Sequence, residues 1–377
     1  MKRLLSTVVV LTSVFSSLSA QDFTDFRVPE HIVSPETVGD TVILRLAGEY
    51  ATDVRVEGSW TSGQLPMQKR EGVWELKLGR LPADVYTYRF FVEGVPALDP
   101  SNPSVQRLGT EYRSFFSVDS PYSRLYGDAV RRGSVSYVWY ESGILGMERR
   151  MAVYTPYGYG NDEKRQYPVL YLMHGEGDDE ESWLTMGRLA QVLDNLIQQG
   201  RAVPMVVVMP NCNAVEQASF MLGLPERSNV RTNSSFIFMN SLVHEIIPYV
   251  ESRYNVIPKK AGRAVCGIGD TGTALINAAI LYPDLFDFLI PLSCGVVDNG
   301  HLTDDFLRIK RAGVKLFWTG CGTMDREAYE RSRTLHDALQ LIHLDHTFYM
   351  LTGGRDWRTW RLFLCNFAPM LFKHYTY

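Results

Sequence analysis

Between residues 38 and 118, polar and apolar residues alternate with a period of two in short runs about ten residues apart, at 41–46, 53–58, 73–78 and 86–92. Gly, Pro and Asp punctuate the runs and no helical stretch interrupts them, which predicts an antiparallel β-sandwich. We place this domain at 25–118. Residues 119–134, with Pro121, Gly127 and Gly133, lack periodicity and are expected to form a linker.

From Val135 the pattern changes. The runs 169–173 and 205–209 are continuously apolar, as in strands buried on both faces of a mostly parallel sheet. Between them 186–199 has helical spacing and stops at Gly200, a helix-terminating residue. Further helices are expected at 241–254, 273–282 and 327–341, and further strands at 263–266, 315–319 and 346–351. This alternation predicts an α/β fold over 135–377, a doubly wound, mostly parallel sheet preceded by the small all-β sandwich.

Composition narrows the function classes. The 377 residues are 45% hydrophobic and 21% charged, as in ordinary globular chains. The net charge of −4 gives no electrostatic attraction to nucleic acid or anionic membrane, so neither is expected as a partner. Lys2 and Arg3 precede an apolar run at 4–15 and then Ser16-Ser17-Leu18-Ser19-Ala20, the layout of a signal peptide at 1–20 cleaved near Ala20. That run is too short for a membrane span, so a periplasmic or extracellular protein is expected. Five cysteines, at 212, 266, 294, 321 and 365, have no C-x-x-C spacing, which argues against a zinc site or disulfide framework and for buried thiols. The histidines form no metal-ligand pattern, and no metal or other cofactor is expected.

Ligands of such sheets bind beyond the carboxyl ends of the strands. There the sequence reads His174-Gly175-Glu176-Gly177-Asp178-Asp179-Glu180-Glu181-Ser182-Trp183, then Gly267-Ile268-Gly269-Asp270-Thr271-Gly272, then Gly320-Cys321-Gly322-Thr323-Met324-Asp325, then Gly353-Gly354-Arg355-Asp356-Trp357. In this order the motifs resemble the esterase D / feruloyl esterase-like α/β-hydrolases of carbohydrate esterase family 1, over about residues 133–374. The N-terminal part resembles the early-set immunoglobulin-like domain related to carbohydrate-binding module family 48, through Trp60, Pro66-Met67, Gly72-Val73-Trp74, Tyr86-Thr87-Tyr88, Val92-Glu93-Gly94 and Asp99-Pro100.

The resemblance implies ester hydrolysis by a Ser on a strand-to-helix turn, a His that takes its proton and an Asp that orients the His. Two of the three are replaced here. Gly269 stands at the nucleophile position, and Arg355, which stays protonated, at the base position. Asp325 remains as the acid. Backbone N–H groups of Asp270 and of Glu176 or Gly177 would form the oxyanion hole. Asp270 is an alternative nucleophile; Thr271, His301 and His346 are weaker candidates for a catalytic role. Arg355 is expected to pair with Asp325, or else to hold a carboxylate ligand such as a uronic acid. Trp183, Trp357 and Trp360 adjoin the family's cleft and, with Trp60 of the sandwich, are the candidates for stacking on sugar rings, with core packing as the competing role. The expected function is an exported, inactive esterase relative that binds a plant-type polysaccharide or oligosaccharide or its acyl esters. The alternatives are an active esterase using Asp270 and an exported interaction scaffold.

Overall fold

The computed structural model describes residues 32–38, 41–224, 234–297 and 300–373. The expected signal peptide lies outside them. From Glu36 to Ser117 two antiparallel sheets face each other. One joins Glu36–Val38, Thr41–Ala47, Val73–Leu78 and Gln68–Arg70; the other is built around Val54–Gly58, Val85–Val92, Val105–Leu108 and Glu111–Ser117. Alternate residues turn inward, so Leu44, Val56, Tyr88 and Phe90 are all 0% exposed in the core between the sheets. Each such side chain contributes roughly 1.5–3 kcal/mol through burial.

Trp60 belongs to this core as well. Its ring packs against Phe116, Tyr88 and Tyr86 with centroids 5.9, 6.3 and 6.4 Å away, and its indole N–H is buried. The half-buried ring thus packs against the sandwich core, the role that competes with a sugar platform.

Residues 119–134 are largely exposed, with Ser123, Leu125, Tyr126 and Ala129 buried. They contain a 3-10 turn, Ser123–Tyr126, whose Leu125 and Tyr126 are buried in the core of the second half.

The second half is one eight-stranded sheet. Its strands in chain order are β1 (Ser134–Ser142), β2 (Met147–Thr155), β3 (Val169–Leu172), β4 (Val206–Pro210), β5 (Arg263–Ile268), β6 (Phe288–Leu292), β7 (Leu316–Gly322) and β8 (Thr347–Leu351). They lie side by side as β1-β2-β4-β3-β5-β6-β7-β8. β2 runs antiparallel to β1 and β4, and all pairs from β4 to β8 are parallel. β3, β4 and β6 are buried at every position, which explains their unbroken apolar runs.

Helices cover both faces: α1 (Leu189–Gln198), α2 (Ser234–Ser241 continuing through a π-helical turn, Leu242–Ile246, into Ile247–Arg253), α3 (Asp270–Leu281), α4 (Leu302–Arg311), α5 (Arg326–Leu341) and α6 (Trp357–Phe367). The helix expected from 186 starts later. A Cβ on Gly187 would lie 2.5 Å from the Trp183 carbonyl oxygen, and Arg188 follows at φ 55°, so the chain breaks between the short turn Ser182–Thr185 and α1. No helix among the described residues is long and apolar enough to cross a membrane.

Buried charges join the two halves. Arg107, on a sandwich strand, is 4% exposed and makes a two-pronged pair with Asp179, Nη2 to Oδ1 at 2.7 Å and Nη1 to Oδ2 at 2.9 Å. Arg361 of α6 reaches back to Asp84 at 3.3 Å.

Candidate active site

The turn between β5 and α3 holds Gly269 at φ 59°, ψ −119°. Small residues are needed around it. A Cβ on Gly267 would meet the Thr271 carbonyl carbon at 2.7 Å, and one on Gly272 would meet Cys294 Sγ at 2.6 Å. The Thr271 hydroxyl ties the turn down, donating to the His174 carbonyl at 2.8 Å and accepting from the Ile268 N–H at 3.0 Å. Thr271 is thus a fastening of the turn, 5% exposed.

Arg355 sits on this turn. A Cβ built on Gly269 would lie 2.5 Å from its Nη2 and 3.3 Å from its Cζ, so the guanidinium occupies the space a side chain at 269 would fill. Its ionic partner is Glu327, Nη1 to Oε2 at 3.5 Å. This corrects the expected Arg355–Asp325 pair. Asp325 turns to cap α5, accepting from the Ala328 N–H at 3.2 Å, while its Oδ2 is buried without a hydrogen-bond partner among the described residues. The arginine side chain is long enough to carry its charge past the acid and onto the turn. The loops bearing these two residues cross closely, since a Cβ on Gly322 would fall 2.3 Å from the Gly353 carbonyl oxygen and the Met324 N–H bonds that oxygen at 2.9 Å.

Beside the turn opens a cavity of about 620 Å³. Glu176, Gly177 and Asp270, the residues expected at an oxyanion hole, all line it, together with Asn213, Phe220, Phe236 and Asn277. All three are exposed, and Gly177 adopts φ 79°. Gly269, Arg355 and Asp325 lie outside the lining, next to it in the chain or across the turn.

His174 fixes one wall. Its Nδ1 donates to the Gly175 carbonyl at 2.7 Å and its Nε2 accepts from the Cys212 N–H at 2.8 Å, so the ring is neutral; burial pushes its pKa down to about 4. It has no nitrogen left to serve as a base. His301 is exposed at the start of α4, and His346 is bonded to His336 at 2.8 Å. No group of three or more metal-ligating side chains occurs among the described residues, and the five cysteines are buried and unbridged.

The three cleft tryptophans are also placed differently from expectation. Trp183, Trp357 and Trp360 are 1%, 8% and 6% exposed and stack edge to face, with centroids 5.1 Å apart at each step. Trp183 donates to the Met173 carbonyl and Trp360 to the Ser293 hydroxyl, both at 3.1 Å. They are the core behind the site, and their burial rules them out as sugar platforms in this conformation.

Sequence reasoning missed the role of the acidic run in the same loop. Asp179 holds Arg107 and the Ser219 hydroxyl, and Glu180 holds Arg150 and the Asn211 amide. Glu181 contacts both arginines. These carboxylates tie the sandwich, β2 and the segment after β4 to the loop that carries Glu176 and Gly177.

Asp178 is the exception, with no cation bonded to it. Burial pushes its pKa up to about 7, against the opposing effect of the Trp357 side chain. A carboxyl raised in the folded state favours folding in its neutral form, so its contribution is full below about pH 4, where the unfolded chain is also protonated, and is lost as pH rises toward 7. The stability of Asp178→Asn relative to the unsubstituted protein is therefore expected to improve from pH 4 to pH 8. Urea midpoints at the two pH values check this, and a constant difference would contradict it.

A family model named Esterase matches residues 142–369. The chain belongs to the esterase family. The endo-1,4-beta-xylanase/feruloyl esterase of Xylanibacter ruminicola is 25% identical over 370 residues, covering 95% of this chain and 46% of that protein. Endo-1,4-beta-xylanase Y of Acetivibrio thermocellus is 31% identical over 245 residues, 57% of this chain and 21% of its own length. The chain thus spans about half or less of these curated relatives. Among solved structures, a CE1 ferulic acid esterase from Anaeromyces mucronatus aligns with TM-score 0.57 and 23% identity, covering 67% of this chain and 96% of that one. The enterobactin esterase of Shigella flexneri aligns with TM-score 0.62 and 17% identity, covering 90% of this chain and 95% of that one. These likenesses establish the α/β-hydrolase fold of the second half.

Proposed function

We propose that this esterase-family protein is exported and binds a glycan, or the acyl ester on one, in the cavity beside Gly269 without hydrolysing it. One observation carries the reading: the turn keeps a shape suited to a nucleophile, yet its apex is a glycine covered by the Arg355 guanidinium. Gly269 then marks the lost nucleophile, Arg355 the lost base and Asp325 the remnant acid. Asp270 and Glu176 or Gly177 keep the oxyanion-hole positions, both on the cavity lining. The relatives named for xylanase and feruloyl esterase activity point to plant-type polysaccharide as the ligand source. The cavity lining suits such a ligand, offering the Asn277 amide and the Ser235 hydroxyl to sugar hydroxyls, with Phe220 and Phe236 as apolar surface.

In this reading the N-terminal sandwich is an immunoglobulin-like, module-48-related domain that serves as a buttress for the site loop, since Arg107 is spent on Asp179. Titration of the mature protein with neutral xylo-oligosaccharides, with and without acyl groups, is expected to show saturable binding. Absence of binding across a broad oligosaccharide panel would overturn the reading.

A further inference from the structure

We propose that the turn at Gly269 is a carboxylate-binding site anchored by Arg355, so that the preferred ligand is an acid. This rests on the preceding reading that the neighbouring cavity receives a glycan or acyl ligand, and it specifies the ligand's charge.

The guanidinium is poised for the task. It lies against the apex of the turn, with Nη2 in the place of the missing side chain, and its side chain is 28% accessible. It donates no hydrogen bond among the described residues. Its ion pair with Glu327 is long, at 3.5 Å, and Glu327 is 69% exposed, so that partner yields at little cost to a better acceptor. A planar guanidinium with free N–H groups binds a carboxylate through two parallel hydrogen bonds, a geometry that an ester, with no charge and one strong acceptor, does not match.

The first N–H groups of α3, beginning at Asp270, have no partner within the helix and face the same turn. Three carboxylates line the cavity: Asp270 and Glu176 are exposed, so water and salt screen their repulsion, and the half-buried Glu216 accepts from the Asn213 amide at 2.9 Å. Among the described residues lining the cavity none is a lysine or arginine, and Arg355 reaches the turn from outside the lining, with Nη2 over Gly269, the residue before the lining Asp270.

Two sources supply such a carboxylate on a body that fits the cavity, a uronic acid within the glycan and an aromatic acid released from its esters. The test is calorimetric titration of the full-length mature protein with glucuronate-bearing xylo-oligosaccharide and with ferulate, each beside its methyl ester. At least one acid is expected to bind ten-fold or more tightly than its ester. That preference should shrink in 1 M NaCl and vanish in Arg355→Gln, whose fold is checked by circular dichroism. Binding of only one acid identifies the source. Equal affinity for acid and ester, or an acid preference unchanged by salt and by Arg355→Gln, overturns the proposal while leaving glycan binding standing. No binding of acid, ester or neutral oligosaccharide overturns both.

Discussion

The double variant Gly269→Ser/Arg355→His is expected to hydrolyse acetyl and feruloyl esters, whereas neither single variant does. Gly269→Ser alone would place a Cβ 2.5 Å from the Arg355 guanidinium and would still lack a base; Arg355→His alone would have no nucleophile to activate. Together they meet what the site retains: a turn at φ 59°, ψ −119°, a buried Asp325 whose Oδ2 has no partner among the described residues, and the cavity beside them. In serine hydrolases the loss of Ser or His alone costs on the order of 10⁶ in kcat, about as much as the loss of the whole triad, so repair must be equally non-additive. A rebuilt triad in unrefined geometry should recover part of that range, at least about 100-fold over the unsubstituted protein. Initial rates for the four proteins decide this. A double variant as inert as its parent would show that the acyl site itself has been lost.

The second large effect concerns stability. Asp179→Ala is expected to destabilise the protein by about 3–5 kcal/mol, because it strands the buried Arg107 without its two-pronged partner. Glu181, 3.3 Å from the same guanidinium, offsets part of that loss. Replacing Arg107 and Asp179 together by Met and Leu should cost far less, since no charge is left buried alone. The pH dependence has a definite sign. The Arg107 guanidinium and the Ser219 hydroxyl hold the Asp179 carboxyl below its ordinary value against the opposing effect of burial. Its contribution is therefore present above about pH 4 and lost as pH falls further. Urea unfolding of the parent, the single and the double variant measures these differences. A single-variant cost below about 1 kcal/mol would mean that Arg107 is not held by this pair.

The fold was legible where burial is two-sided or strictly alternating. The unbroken apolar runs became β3 and β4, and the period-two runs became sandwich strands. The hairpin of β1 and β2 was missed because β1 is an exposed edge strand: Val135, Tyr137 and Trp139 face outward there, and the pattern carries little burial signal. Helix α6 was missed although Asp356 caps it by accepting from the Thr359 N–H and Trp357, Trp360, Phe363, Leu364 and Phe367 recur at helical spacing. The same spacing identifies its two tryptophans as core rather than ligand contacts.

In the site, motif order brought Gly269, Arg355 and Asp325 into one neighbourhood, but side-chain reach decided the contacts. Nothing local marks Arg355 as lying over Gly269 and near Glu327, whereas Asp325, just ahead of the helix expected at 327–341, carries an N-cap signal in the sequence itself. The pair Arg107–Asp179 joins residues 72 positions apart in two domains, so neither periodicity nor motif spacing could expose it.

The most direct test of the central claim is the rate of ester hydrolysis by the unsubstituted protein, measured with acetyl and feruloyl model substrates beside Asp270→Ala. The site described here, with glycine at the apex, a charged arginine over it and His174 neutral and fully hydrogen-bonded, predicts no turnover above buffer for either protein. Turnover by the unsubstituted protein that disappears in Asp270→Ala would contradict it and make Asp270 the working nucleophile of the turn.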